Sequence, residues 1–184
     1  MESTPLAVPA VYCWPQSARP GESIGVHAAG PAVPAQVIVA RLGARRERVW
    51  TGEITLVPHE MPGDAAAHGC GWPAAVEIPI GADWRSGYYE VTLRTDAGRI
   101  AHEAVAFFVV RAATVDPTRP LLALCTNTYN AYNDIGGRNL YEGGTQVSFQ
   151  RPMANGLLRK PAGPGERVTV LHPPDPFNRD HVKY

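Results

Sequence analysis

The longest apolar runs in this 184-residue chain fall far short of the roughly 20 residues that a membrane-spanning helix needs. No basic region followed by an apolar stretch opens the sequence, so no secretory signal is read. Cysteine is scarce: Cys13, Cys70 and Cys125 are odd in number and lack metal-ligand spacing, which predicts reduced thiols and a cytoplasmic protein. Charge is scarce as well, at 18%, and 17 Lys plus Arg balance 17 Asp plus Glu. That balance excludes the electrostatic footprint of a nucleic-acid or anionic-membrane partner. Several catalytic signatures are missing too. There is no glycosidase-type carboxylate pair and no Gly-x-Ser-x-Gly elbow, and Gly136-Gly137 lacks the lysine of a phosphate loop.

What the chain has instead is 18 glycines, 18 prolines and 45% hydrophobic residues, a composition for short strands joined by turns. Residues 10–14, 23–28, 36–42, 49–56, 75–80, 89–93 and 102–111 alternate or are rich in β-branched and aromatic side chains. Arg19-Pro20-Gly21-Glu22 is a turn, with Pro presetting φ at its second position and Gly tolerating the third. About seven strands fit an antiparallel β-sandwich over residues 1–112, with Trp84 capping one end of its core. Residues 59–73 contain His59, Glu60, Asp64, His68 and Cys70, but in no standard ligand spacing, and read as a surface loop. Residues 113–120 form a linker, because Asp116-Pro117 and Arg119-Pro120 block regular structure.

Residues 121–184 read as the opening of an α/β unit. Leu121-Leu122-Ala123-Leu124-Cys125 is short and apolar, as a buried strand would be, and the polar series from Thr126 onward reads as strand-end loop. Weaker strands are expected within 143–151, with Val147 and Phe149 inward, and at 168–171. A short helix is expected at 155–160. So few elements cannot cover both faces of a parallel sheet, which predicts completion by a second polypeptide or by missing sequence.

The same stretch carries a resemblance. Thr126, Asn127, Thr128, Ala131, Tyr132, Asn133, Gly136, Gly137, Leu140 and Tyr141, followed by Val147, Ser148, Phe149, Arg151 and Pro152, resemble the large subunit of N,N-dimethylformamidase and its relatives. The resemblance covers about residues 83–160. It implies hydrolysis of the C–N bond of a small amide by a mononuclear ferric iron held by two tyrosines and a glutamate. Carried over, Tyr132 is one ligand and Tyr184, or alternatively Tyr141, the second. The glutamate is expected outside this chain, supplied by the rest of the catalytic domain. Thr126, Asn127 and Asn133 are the expected catalytic neighbours, the two asparagines orienting the amide or a water and Thr126 anchoring the loop. Arg151 is expected to pair with a carboxylate between the two units. Two alternatives stand beside this: a non-catalytic sandwich module that docks on a partner, and a cysteine amidase using Cys125. For Cys125 the structural reading is preferred, since no histidine is near in sequence to activate it.

Overall fold

In the computed structural model, residues 6–95, 102–114, 116–154 and 156–159 are described. The fold is mainly β. Strands β1 (Ala10–Trp14), β3 (Ser23–Ala29) and β6 (Ala74–Pro79) form one antiparallel sheet in the order β1-β3-β6. The other sheet runs β2-β8-β7-β4-β5. It comprises β2 (Ser17–Ala18), β4 (Pro34–Leu42), β5 (Arg46–Thr55), β7 (Gly87–Thr95) and β8 (His102–Val110). All its pairings are antiparallel except the short parallel β2–β8 contact, which sequence reading did not find.

Alternation sorts the side chains as a sandwich requires. Ile24 and Val26 from the smaller sheet meet Val37, Val39, Tyr89, Val91, Leu93 and Phe108 from the larger, all fully buried in one core. Trp84 stacks on Tyr89 with ring centroids 5.1 Å apart and packs, half-buried, against that core. The Pro20-Gly21 turn forms as read: the Glu22 N–H donates to the Arg19 carbonyl at 3.0 Å and Gly21 has φ of 91°. That positive φ at the third position is what the turn demands of glycine.

Residues 59–73 are more than the surface loop expected from their composition. They contain the helical turn α1 (Ala65–His68), whose Ala65 and Ala66 are buried. Ala65 joins Tyr12, Ala29, Cys70 and Trp72 in a second, smaller core against the three-stranded sheet. Trp72 fixes the segment by donating its indole N–H to the Glu60 carbonyl at 2.9 Å. Alanine lets the helical turn lie close to its neighbours, and three alanines in a row carry no periodic signal to announce this.

Residues 121–125 form no strand. Leu121 is 92% exposed and Leu122 67% exposed, and a run of this composition is buried only where other strands flank it. The polar series that read as loop is a helix, α2 (Thr126–Tyr132). No strand forms within 143–151 either. There the chain bonds to the small core: the Ser148 N–H donates to the Ala66 carbonyl and the Cys70 N–H to the Gln150 carbonyl, both at 2.8 Å. Residues 156–159 make a turn and bend, whereas 155, 160 and the strand expected at 168–171 lie outside the described residues.

A charge cluster ties Arg159 to the outer face of the larger sheet. Its guanidinium donates to Glu90 Oε1 at 2.7 Å, Glu90 Oε2 at 3.2 Å, Glu103 Oε2 at 3.0 Å and Thr92 Oγ1 at 3.1 Å. Arg46 donates to Glu90 from the other side at 3.0 Å. Burial acts to raise the Glu90 pKa, but the hydrogen bonds and charges of Arg159 and Arg46 outweigh it and hold the carboxyl below its ordinary value. A lowered folded pKa stabilises the protein above the unfolded value of about 4.3 and ceases to do so as pH falls through the folded value. Glu90→Gln should therefore cost about 1.5–3 kcal/mol near neutral pH. The deficit should shrink toward zero in acid. Denaturant unfolding of both proteins across the acid range measures this, and parallel acid limbs would contradict it.

Candidate active site

The site residues read from the sequence lie on α2 and the loop behind it. α2 is a weak helix in isolation: Thr and Asn are poor helix formers, and its N-cap, Cys125, makes no side-chain cap bond. Its C-terminal end is held by Arg151, which is 1% exposed. The Arg151 Nη2 group donates to the Asn130 carbonyl and side-chain Oδ1, each at 3.2 Å, and to the Asn133 carbonyl at 3.0 Å. Nη1 donates to the Ile135 carbonyl and Nε to the Ser148 carbonyl at 3.0 Å. The carboxylate expected as its partner is not among these acceptors. A cation at the carbonyl end of a helix satisfies orphan acceptors and opposes the helix dipole, so carbonyls serve in its place. Burial pulls this guanidinium down to about 10, partly opposed by Cys70 and Asp134.

Asn133 is fully buried and also braces the loop. Its Nδ2 donates to the Pro152 carbonyl at 2.8 Å, and its Oδ1 accepts from the Ile135 and Ala154 N–H groups. Gly136 and Gly137 follow with φ of 79° and 139°. A Cβ on Gly136 would stand 2.7 Å from that of Ala65, so glycine is needed both for backbone conformation and for the approach to α1. Asn139 then folds an Asx turn, its Oδ1 accepting from the Tyr141 N–H at 2.8 Å and the Glu142 N–H at 3.0 Å. The Leu140 N–H donates to the Ala131 carbonyl at 3.2 Å and sets this turn beside α2.

The result is a pair of phenols. Tyr132 and Tyr141 stack with ring centroids 4.3 Å apart and ring planes at 20°. Tyr132 is half-buried and Tyr141 is 62% exposed. Thr126 is half-buried and Asn127 exposed on the first turn of α2. Tyr184 lies outside the described residues. Cys125 is exposed, whereas Cys13 and Cys70 are buried, with thiol pKa values raised by desolvation. Among the described residues no three His, Cys, Asp or Glu side chains gather in a way that would hold a metal ion. Arg151, Asn130 and Asn139, which shape the site most, were not singled out by sequence for that role.

Residues 36–172 match the family model described as N,N-dimethylformamidase beta subunit-like, C-terminal. The chain belongs to that family. No curated protein matches it. The dimethylformamidase-like match takes in most of the sandwich, α1, α2 and the phenol loop, so the Tyr132–Tyr141 pair lies inside the shared region. Among the described residues no helix is long and apolar enough to cross a membrane.

Proposed function

We propose that this chain supplies part of the active site of an iron-dependent amide hydrolase of the dimethylformamidase type, and that it is related to that enzyme's large subunit. One observation carries the reading: two phenols stacked 4.3 Å apart on a loop that a buried arginine braces, within the family match. Phenolate oxygen is a hard anionic donor and suits a hard, highly charged cation such as ferric iron. Tyr132 is the first ligand. Tyr141 is the phenol within reach of it, and Tyr184 is the alternative. Bound there, the iron would supply Lewis acidity toward an amide carbonyl.

The chain's own residues hold and orient. Arg151 and Asn133 fix the loop that presents Tyr132, so Asn133 acts as a positioning residue. Thr126 and Asn127, polar side chains on the first turn of α2, meet the amide. The remaining ligand, a glutamate, comes from a second polypeptide or further sequence. Support for such a partner is that four large apolar side chains within residues 121–141, Leu121, Leu122, Leu140 and Tyr141, are exposed. Three unpaired cysteines support a reducing compartment, the cytoplasm.

The test is hydrolysis of small N-alkyl formamides by the assembled, iron-loaded protein, followed as amine release. Cys125→Ser should keep activity within a few-fold, because the thiol is exposed and no histidine is near it in sequence to activate it. A loss beyond about a hundredfold, with iron and fold intact, would instead mark Cys125 as a nucleophile.

A further inference from the structure

A second polar cluster lies on the outer face of the three-stranded sheet, built around Gly25 of β3. Gly25 pairs with Trp14 on β1 and with Glu77 on β6, and His27 follows two residues along on the same face. Three acceptors lean over the glycine. The point that a Gly25 Cβ would occupy is 3.0 Å from each of His27 Nε2, Glu77 Oε1 and the Trp14 carbonyl oxygen.

The histidine is oriented for ligation. Its Nδ1 lies 2.7 Å from the Trp72 carbonyl, which can only accept, so Nδ1 carries the proton. Nε2 is then the ring nitrogen left facing the space over Gly25. Tyr12 fixes the ring plane, stacking on it at 4.7 Å with the planes 1° apart. A backbone carbonyl on one ring nitrogen and an open lone pair on the other is how metal-ligating histidines are commonly held. Opposite sits the Glu77 carboxylate, an acceptor only, on an exposed side chain free to close on the ring. A histidine nitrogen, a carboxylate and a carbonyl all reach the space over Gly25, where a cation would find three donors.

We propose that His27 and Glu77 bind a divalent transition-metal ion of the zinc type over Gly25, with the Trp14 carbonyl adding negative potential beneath and water completing the shell. The site uses two side chains and a main-chain oxygen, a smaller donor set than the three-side-chain groups absent elsewhere among the described residues. It clips β3 to β6 where the register shifts between Val26 and His27. It is separate from the phenol pair and does not rest on the iron reading.

Calorimetric titration of the full chain with zinc tests it, beside Glu77→Gln, His27→Gln and Gly25→Ala. Glu77 is exposed, so its replacement leaves the fold intact; Gly25→Ala keeps both ligands but fills the space between them. The expected result is one saturable equivalent, weakened more than about tenfold in each variant and unchanged in Tyr132→Phe. Zinc should also shift the His27 ring resonances selectively. Equal zinc uptake by the parent and by Glu77→Gln, or no selective shift at His27, would mean adventitious surface binding only and would overturn the proposal.

Discussion

Replacing Arg151 by methionine is expected to release the phenol loop while leaving the sandwich folded. The side chain is fully buried and donates to four backbone carbonyls and the Asn130 side chain. Methionine fills similar volume but donates nothing. Each buried acceptor left unpaired costs about 1–3 kcal/mol, so losing several exceeds about 3 kcal/mol even after local relaxation and entry of water. The sandwich keeps its own core of Ile24, Val37, Tyr89 and Phe108, which Arg151 does not touch. The cost should therefore appear locally, as amide exchange in residues 126–154 accelerated by about a hundredfold or more, with the β4, β7 and β8 amides protected as before. Arg151→Lys should fall between the two proteins, since one ammonium cannot reach carbonyls spread around a planar fork. Unchanged exchange across 126–154 in the methionine variant would show that the arginine does not hold the loop.

Tyr132→Phe should have the largest effect on function and almost none on the fold. The substitution removes one oxygen and keeps the ring that stacks on Tyr141. Folding stability should change by less than about 1 kcal/mol. Iron content of the assembled protein should fall steeply, and amide hydrolysis by at least about a hundredfold, because a lost ligand costs no less than a lost group behind one. Tyr141→Phe and Tyr184→Phe, measured in parallel, identify the second ligand: the variant that loses iron along with Tyr132→Phe is the partner. Full iron and activity in Tyr132→Phe would leave the phenol as a stacking residue alone.

The sandwich was legible because its signals are local. Alternation at Ile24, Val26, Tyr89, Val91 and Leu93 specifies which faces are buried, and Pro20-Gly21 names its own turn. The loop was legible only as a motif. Thr126-Asn127-Thr128-Tyr129-Asn130 has low helix propensity, and what holds α2 at its end is an arginine some twenty residues later. That arginine was expected to meet a carboxylate because charges usually do. Its acceptors are the Asn130 side chain and four backbone carbonyls, which every residue carries and which leave no mark in a sequence. The run 121–125 misled for another reason: apolar character is compatible with a buried strand but does not impose one, and Leu121 and Leu122 are exposed. The small core formed by Ala65, Cys70 and Trp72 was hidden because small residues pack closely without periodicity.

The most direct test of the central claim, that Tyr132 ligates iron in a site completed from outside these residues, is visible spectroscopy with metal analysis. It compares the chain alone, the chain assembled with the polypeptide that completes it, and the assembled Tyr132→Phe variant. The account predicts little iron in the chain alone. It predicts about one iron per chain with a phenolate-to-iron charge-transfer band after assembly, and loss of both in the variant. An assembled protein in which Tyr132→Phe keeps its iron and its band would contradict it, as would a complete and active iron site in this chain by itself.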